Sequence, residues 1–150
     1  MAVQVSGGLG MADALVRLSH VVQHVFADVA REHGLTSQQL QLLCMLLAEP
    51  LGMTELSRLM HLERSSMTGL VDRVEKRGLV ARVADPADRR AWRVALTEDG
   101  TRLADVAHDD VVAKLDSMTG RLERDDRDRL ASAVALILTE HGFARSATVT

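Results

Sequence analysis

The sequence predicts a mainly α-helical protein that carries one small β-hairpin. Three observations point there. Apolar residues recur at helical spacing along most of the chain. Aromatic residues make up only 2% of the 150 residues, with no Tyr, so the core is built from Leu, Val, Ala and Met, which suits packed helices better than a sandwich of sheets. Only residues 79–96 read as two short apolar strands around a turn, Asp85-Pro86. The length fits one domain spanning 1–150 with a sizeable core.

Residues 1–10, with Gly7, Gly8 and Gly10, read as a flexible lead. From Met11 to His33 the stripe Leu15, Leu18, Val22, Val25, Phe26 and Val29 keeps helical spacing, and Gly34 ends the helix. Thr36-Ser37-Gln38-Gln39 is a capping box that opens a second helix through Leu40, Leu43, Leu46 and Leu47 to about Ala48. Pro50 and Gly52 break the chain. A short helix starts at Thr54 with Leu56, Leu59 and Met60 inward, and His61 to Arg64 turn into the next. Met67, Leu70, Val71 and Val74 form the apolar stripe of that next helix, which Gly78 stops.

The hairpin follows directly. Leu79–Val83 and Trp92–Leu96 are its strands, and the tip carries Arg89 and Arg90 side by side. Thr97 then caps a long helix with Glu98 and Asp99 in its first turn; Leu103, Val106, Ala107, Val111 and Leu115 mark its buried side. After a break at Gly120, the charge run Glu123–Arg129 starts a final helix with Leu130, Ala133, Val134, Ile137 and Leu138 in register, ended by Gly142. A polar helix followed at once by a basic-tipped hairpin is the arrangement of a winged helix-turn-helix: the helix fits a major groove and the hairpin tip reaches the adjacent minor groove or backbone.

The charge distribution agrees. Net charge is −3, yet residues 58–93 hold nine Lys/Arg against five acids, a local +4 inside a remainder of −7. The single cysteine, Cys44, excludes an internal disulfide and a multi-cysteine zinc site. No apolar run approaches the roughly 18–20 residues that span a membrane, and the N-terminus lacks the basic start and apolar core of a signal peptide. The expected location is cytoplasmic, with no membrane partner.

The order of elements resembles the MarR family of bacterial transcription regulators. The stretches that carry the resemblance are Leu70-Val71-Asp72-Arg73-Val74-Glu75-Lys76-Arg77-Gly78-Leu79-Val80, Asp85-Pro86-Ala87-Asp88-Arg89-Arg90 and Leu96-Thr97-Glu98-Asp99-Gly100. The resemblance implies a homodimer whose N- and C-terminal helices (about 11–33 and 120–143) interlock and a winged helix-turn-helix over about 36–96. It also implies recognition of pseudo-palindromic double-stranded DNA.

The expected DNA-facing set is Ser65, Ser66, Thr68, Gly69, Arg73, Lys76 and Arg77 on the polar helix, with Thr54 and Arg64 before it and Arg89 and Arg90 on the wing. The resemblance puts Arg90 in the minor groove, held by Asp88 or by Glu63. Asp72 is expected to orient a neighbouring arginine, because a carboxylate facing phosphate is repelled. Arg82 and Arg93 read as surface residues. The family often binds small aromatic carboxylates between its dimer helices and DNA-binding lobe, so Arg17, His20 and His24 are expected to line a crevice for an aromatic or anionic ligand.

Other chemistry finds little support. His20 and His24 have a chelating spacing, but the remaining histidines are scattered and no metal is expected. No phosphate loop, nucleophile elbow or His-Glu-x-x-His motif is present, so neither an enzyme nor a cofactor is expected. The leading expectation is a repressor released by a small ligand. Its rivals are a thiol redox sensor acting through Cys44 and a winged-helix module that binds protein without DNA.

Overall fold

The computed structural model describes residues 8–143, so most of the expected flexible lead lies outside the described residues. Its elements in chain order are α1 (Met11–Glu32), α2 (Ser37–Leu46), β1 (Leu51–Gly52), α3 (Met53–Met60), α4 (Arg64–Lys76), β2 (Val80–Ala84), β3 (Trp92–Leu96), α5 (Glu98–Met118) and α6 (Arg124–Glu140). The mainly helical class with a hairpin wing is as the sequence predicts.

Local chemistry sets most boundaries. At the end of α1, Gly34 sits at φ +68 and the Leu35 N–H returns to the Ala30 carbonyl at 2.8 Å. The capping box of α2 is complete: the Gln39 N–H donates to Thr36 Oγ1 at 3.2 Å, and the Thr36 N–H donates to Gln39 Oε1 at 3.0 Å. Leu40, Leu42, Leu43 and Leu46 of α2 are all buried, so this helix is the centre of the core. Val29 and Ala30 of α1, Leu56 of α3, the Met67–Leu70–Val71–Val74 stripe of α4, and Ala104, Ala107 and Val111 of α5 pack around it. A hydrogen bond and an ion pair fasten the end of α1 to α5: His33 Nε2 to Asp110 Oδ2 and Lys114 Nζ to Glu32 Oε1, each at 2.7 Å.

Four features depart from the sequence reading. The Pro50–Gly52 break contains a strand: Leu51 and Gly52 pair antiparallel with Val94 and Arg93, so the wing is a three-stranded sheet in the order β1-β3-β2. Two residues are too short to show a strand period, and only β3 makes them one. Second, α4 starts at Arg64, three residues before the first apolar position. Glu63 is its N-cap, and the turn before it is made by His61 in the left-handed region at φ 54, where no glycine announced it.

Third, the first hairpin strand runs 80–84 rather than 79–83. Leu79 is occupied instead at a junction: its N–H donates to the Val74 carbonyl at 3.2 Å and its carbonyl accepts from Thr97 N–H at 3.0 Å. Fourth, Val106 is exposed rather than buried. At 100° per residue it lies about a third of a turn from the Ala104–Ala107–Val111 face that packs inward.

The sharpest packing constraint is at Gly100. A Cβ there would stand 1.8 Å from the Leu79 carbonyl oxygen. Thr97 binds the same junction, its hydroxyl donating to the Gly78 carbonyl at 2.6 Å and accepting from the Gly100 N–H at 3.0 Å. The start of α5 thus clamps the end of α4 and the start of β2. Gly100→Ala is expected to lower stability by about 1–3 kcal/mol or more, since rigid backbone must move; Thr97→Ala is expected to cost about 1 kcal/mol. Denaturant unfolding of both variants measures this, and a Gly100→Ala protein as stable as the parent would contradict the clamp.

Candidate nucleic-acid interface

α4 buries Met67, Leu70, Val71 and Val74 and turns the rest of its surface outward. Arg64, Ser65, Ser66, Thr68, Arg73 and Lys76 are exposed on it, and Gly69 is half-buried. The Thr68 hydroxyl donates to the Arg64 carbonyl at 2.9 Å, which keeps its oxygen lone pairs available. A Cβ at Gly69 would meet only Arg73 Nη1, at 3.3 Å, so the glycine is where the Arg73 side chain folds back along the helix.

The wing tip is organised by its two aspartates. The Asp85 carboxylate accepts the Ala87 N–H at 2.8 Å and Asp88 accepts the Arg90 N–H at 2.9 Å, two Asx turns in series. The Ala87 N–H, followed by the Arg93 guanidinium on the other carboxylate oxygen at 2.9 Å, holds the Asp85 carboxyl below the usual carboxylate range. Arg89 and Arg90 project from this frame into solvent. The expected clasp on the Arg90 guanidinium is not formed: Asp88 is spent on the Arg90 backbone, and no ion pair joins Glu63 to Arg90 among the described residues.

Arg82 and Arg93 are braces rather than free surface charges. Arg93 ties β3 to Asp85 at the tip end of the wing. Arg82 reaches from β2 to α4, donating to Asp72 Oδ1 at 2.5 Å and also to Glu75 Oε2. The Asp72 hydrogen bond and the charges of both carboxylates raise the guanidinium pKa further. Asp72 does orient an arginine, as expected, but one on the wing. The bracket fixes the hairpin against α4 and offsets one of the two carboxylate charges on a helix whose outward face is otherwise cationic. By contrast Arg64, Arg73, Lys76, Arg89 and Arg90 have no ion pair among the described residues.

Two expected members stand apart. Arg77 donates to the Gly34 carbonyl at 2.8 Å and to Gln39 Oε1 at 3.4 Å, strapping the end of α4 to the α1–α2 connection. The last turn of α4 points back at the body, which is why its arginine serves packing. Thr54 is exposed in the first turn of α3 and lines a depression with Gly52, Glu55, Asp85 and Arg93 beside the wing.

The expected ligand crevice is only partly assembled. A cleft of about 480 Å³ lies between α1 and α2, lined by Gln23, His24, Phe26, Ser37, Gln38 and Gln41. His24 borders it; Arg17 and His20 are exposed one to two helical turns toward the N-terminus and do not. The His24 Nδ1–H donates to the His20 carbonyl at 2.8 Å, leaving Nε2 to face the cleft chemistry. No group of three metal-ligating side chains occurs among the described residues. Cys44 is half-buried in α2, and burial pushes its thiol up to about 11, so it stays protonated at neutral pH. No helix among the described residues is long and apolar enough to cross a membrane.

Comparison with known proteins agrees with this architecture of a winged helix-turn-helix between terminal helices. Residues 33–91 match the family model described as MarR family. The solved structure of the transcriptional repressor CouR bound to a 23-mer DNA duplex is 32% identical, covering 85% of this chain and 92% of that one with a TM-score of 0.70. CouR from Rhodococcus jostii RHA1 bound to p-coumaroyl-CoA is 28% identical, covering 85% and 90% with a TM-score of 0.72. Among curated proteins, an uncharacterised transcriptional regulator of Bacillus subtilis, YsmB, is 51% identical over 49 residues, 33% of this chain and 34% of that protein. The homoprotocatechuate degradative operon repressor of Escherichia coli is 30% identical over 91 residues, 60% of this chain and 62% of its own length. The chain therefore spans less than two thirds of the length of these two curated relatives. It belongs to the MarR family of transcription regulators.

The Arg82 bracket is testable in the protein alone. Arg82→Gln is expected to lower stability by about 1 kcal/mol, a modest figure because all three side chains remain partly solvated. Amide exchange across β2–β3 is expected to quicken. Arg82→Lys recovers only part of the loss, because an ammonium cannot present the planar fork. Unchanged exchange in Arg82→Gln would remove the bracket from the account.

Proposed function

We propose that this chain is a transcriptional repressor that binds double-stranded DNA as a homodimer, with α4 in the major groove and the wing at the flanking backbone or minor groove. The observation that carries this is the contrast on one surface: five cations of α4 and the wing have no ion pair among the described residues, while the two acids of α4 are both tied to Arg82. Phosphates would supply the missing partners and most of the affinity, and Ser65, Ser66, Thr68 and Arg73 would supply sequence choice. Residues 36–96 form the DNA-binding unit in this reading, and the cytoplasm is where such a regulator meets bacterial DNA.

The second protomer is supported by α6. None of its 17 residues is buried, although Leu130, Val134, Leu136, Ile137 and Leu138 are apolar. Leu15 and Leu18 of α1 and Val106 of α5 are exposed as well. A helix draws most of its stability from burying an apolar face, and contiguous exposed apolar surface marks association. Helices 11–33 and 120–143 would therefore interlock with those of a second copy, setting two recognition helices about one DNA turn, roughly 34–36 Å, apart.

Release by a small ligand is the finer part of the proposal. The α1–α2 cleft is suitably sized, and CouR is a relative with an aromatic acyl thioester bound. A ligand favouring another half-site spacing lowers DNA affinity by its differential binding to the two states. Because Nδ1–H of His24 is already committed, a carboxylate in the cleft would be met by the protonated Nε2–H or by the amides of Gln23, Gln38 and Gln41. Redox control through Cys44 is disfavoured by its raised pKa.

Two measurements test the core of the proposal. Sedimentation equilibrium at low micromolar concentration is expected to give twice the 16.4 kDa chain mass, and Ile137→Asp to abolish the dimer. Selection from a random 30-base-pair library is expected to recover a pseudo-palindrome. On that duplex Arg90→Ala should weaken binding and reduce the slope of log K against log salt by about one per half-site. A folded monomer, or failure to recover any duplex, would overturn the reading.

A further inference from the structure

The wing carries the chain's single tryptophan, and the helix-and-arginine account gives it no task. In the β2–β3 register Arg82 stands opposite Val94 and Ala84 opposite Trp92. Directly opposed residues of an antiparallel pair, and residues two apart along a strand, share one face. Trp92 is therefore on the same face as buried Val94 and as Arg82, the face turned to α4. It lies beyond Arg82, at the outer end of the hairpin, and is 60% exposed. Its indole N–H has no hydrogen-bond partner among the described residues.

The surroundings fix the chemistry of what could cover it. Across the ladder, Ala84 is small and exposed, which leaves one side of the ring open. Along the chain, Arg89 and Arg90 stand unpaired beside it, while Arg93 is neutralised by Asp85. A large flat apolar surface with one outward donor, set beside two free cations, is complementary to a polymer that alternates apolar sugar with anionic phosphate. The Arg82 brace holds this face against α4, and Arg93 with Asp85 stiffens the hairpin itself. A ring on a fixed hairpin loses little freedom when it is covered.

We propose that Trp92 is a DNA-contact residue of the wing, its ring packed on deoxyribose of the duplex flanking the α4 site and its indole N–H donating to a phosphate oxygen. The inference rests on the DNA-binding reading above and deepens it. Trp92 adds contact area without adding charge, so it releases no counterion. Its loss lowers affinity at every salt concentration and leaves the salt slope alone, whereas loss of Arg90 changes both. The contact recognises backbone, so its contribution is alike for related duplexes.

The experiment uses the full chain and the 30-base-pair duplex recovered by selection, with an unrelated duplex of equal length at low salt as a second probe. Because there is one Trp and no Tyr, intrinsic emission reports this position alone. The expected result is a shift and change in intensity of the emission on saturation with either duplex. Trp92→Ala is expected to bind about tenfold more weakly, the loss that corresponds to uncovering a modest apolar area, with unchanged melting temperature and unchanged salt slope. Trp92→Phe should recover most of the affinity.

Wild-type binding with unaltered emission and an equally tight Trp92→Ala protein would overturn the inference while leaving the DNA-binding reading intact. A reduced salt slope in Trp92→Ala would also overturn it, since the residue would then act by displacing the arginines. Failure of the wild-type chain to bind either duplex would overturn both. A shift of Trp92 emission caused only by raising protein concentration would assign this face to another copy of the chain instead.

Discussion

The backbone of Leu79 runs so close to Gly100 that no side chain fits between them, and Thr97 binds both sides of that contact. This junction is where α4 ends, the hairpin begins and α5 leaves for the far end of the molecule. The angle α4 makes with the wing is set there. A surface proposed to match a duplex over two grooves needs such a rigid origin, because an error of angle at the junction grows along the hairpin.

From that origin the braces work outward. Arg82 joins β2 to Asp72 and Glu75, Arg93 joins β3 to Asp85, and the Asp85 and Asp88 carboxylates hold the tip backbone. Each places an acid where it is consumed inside the protein. The consequence is electrostatic as well as mechanical: Asp72, Glu75 and Asp85 are tied to arginines, while Arg64, Arg73, Lys76, Arg89 and Arg90 have no ion pair among the described residues. An acidic protein can thereby present a locally cationic surface without a large net charge.

The other end of the molecule obeys the opposite rule. There the unsatisfied quantity is apolar area, on α1, α5 and above all α6, none of whose residues is buried; just beyond α6 the Phe143 ring centre lies 5.8 Å from the Arg58 guanidinium. One end lacks anionic partners and the other lacks apolar ones. A long α5 and its two polar links to the end of α1 connect them, so a ligand seated between α1 and α2 would lie on the path from one to the other.

The sequence by itself determined the helices, their caps and the hairpin. Thr36 with Gln39, Gly34, Gly78, Thr97 and Asp85-Pro86 act within a few residues of themselves, and the apolar stripe of α4 follows from helical period alone. The cationic character of 58–93 and most of the exposed set on α4 were legible for the same reason. What only the tertiary structure decided were pairings between segments distant in the chain. Arg77 proved to be a strap because Gly34 and Gln39 lie beneath it, and Arg82 a brace because β2 passes α4. Leu51 and Gly52 became a strand because β3 offers its edge, and His24 reached the cleft while Arg17 and His20 did not because α2 crosses only the second half of α1. Charge and polarity name what a side chain can bind, but which partner comes within reach is set by the packing of the whole chain.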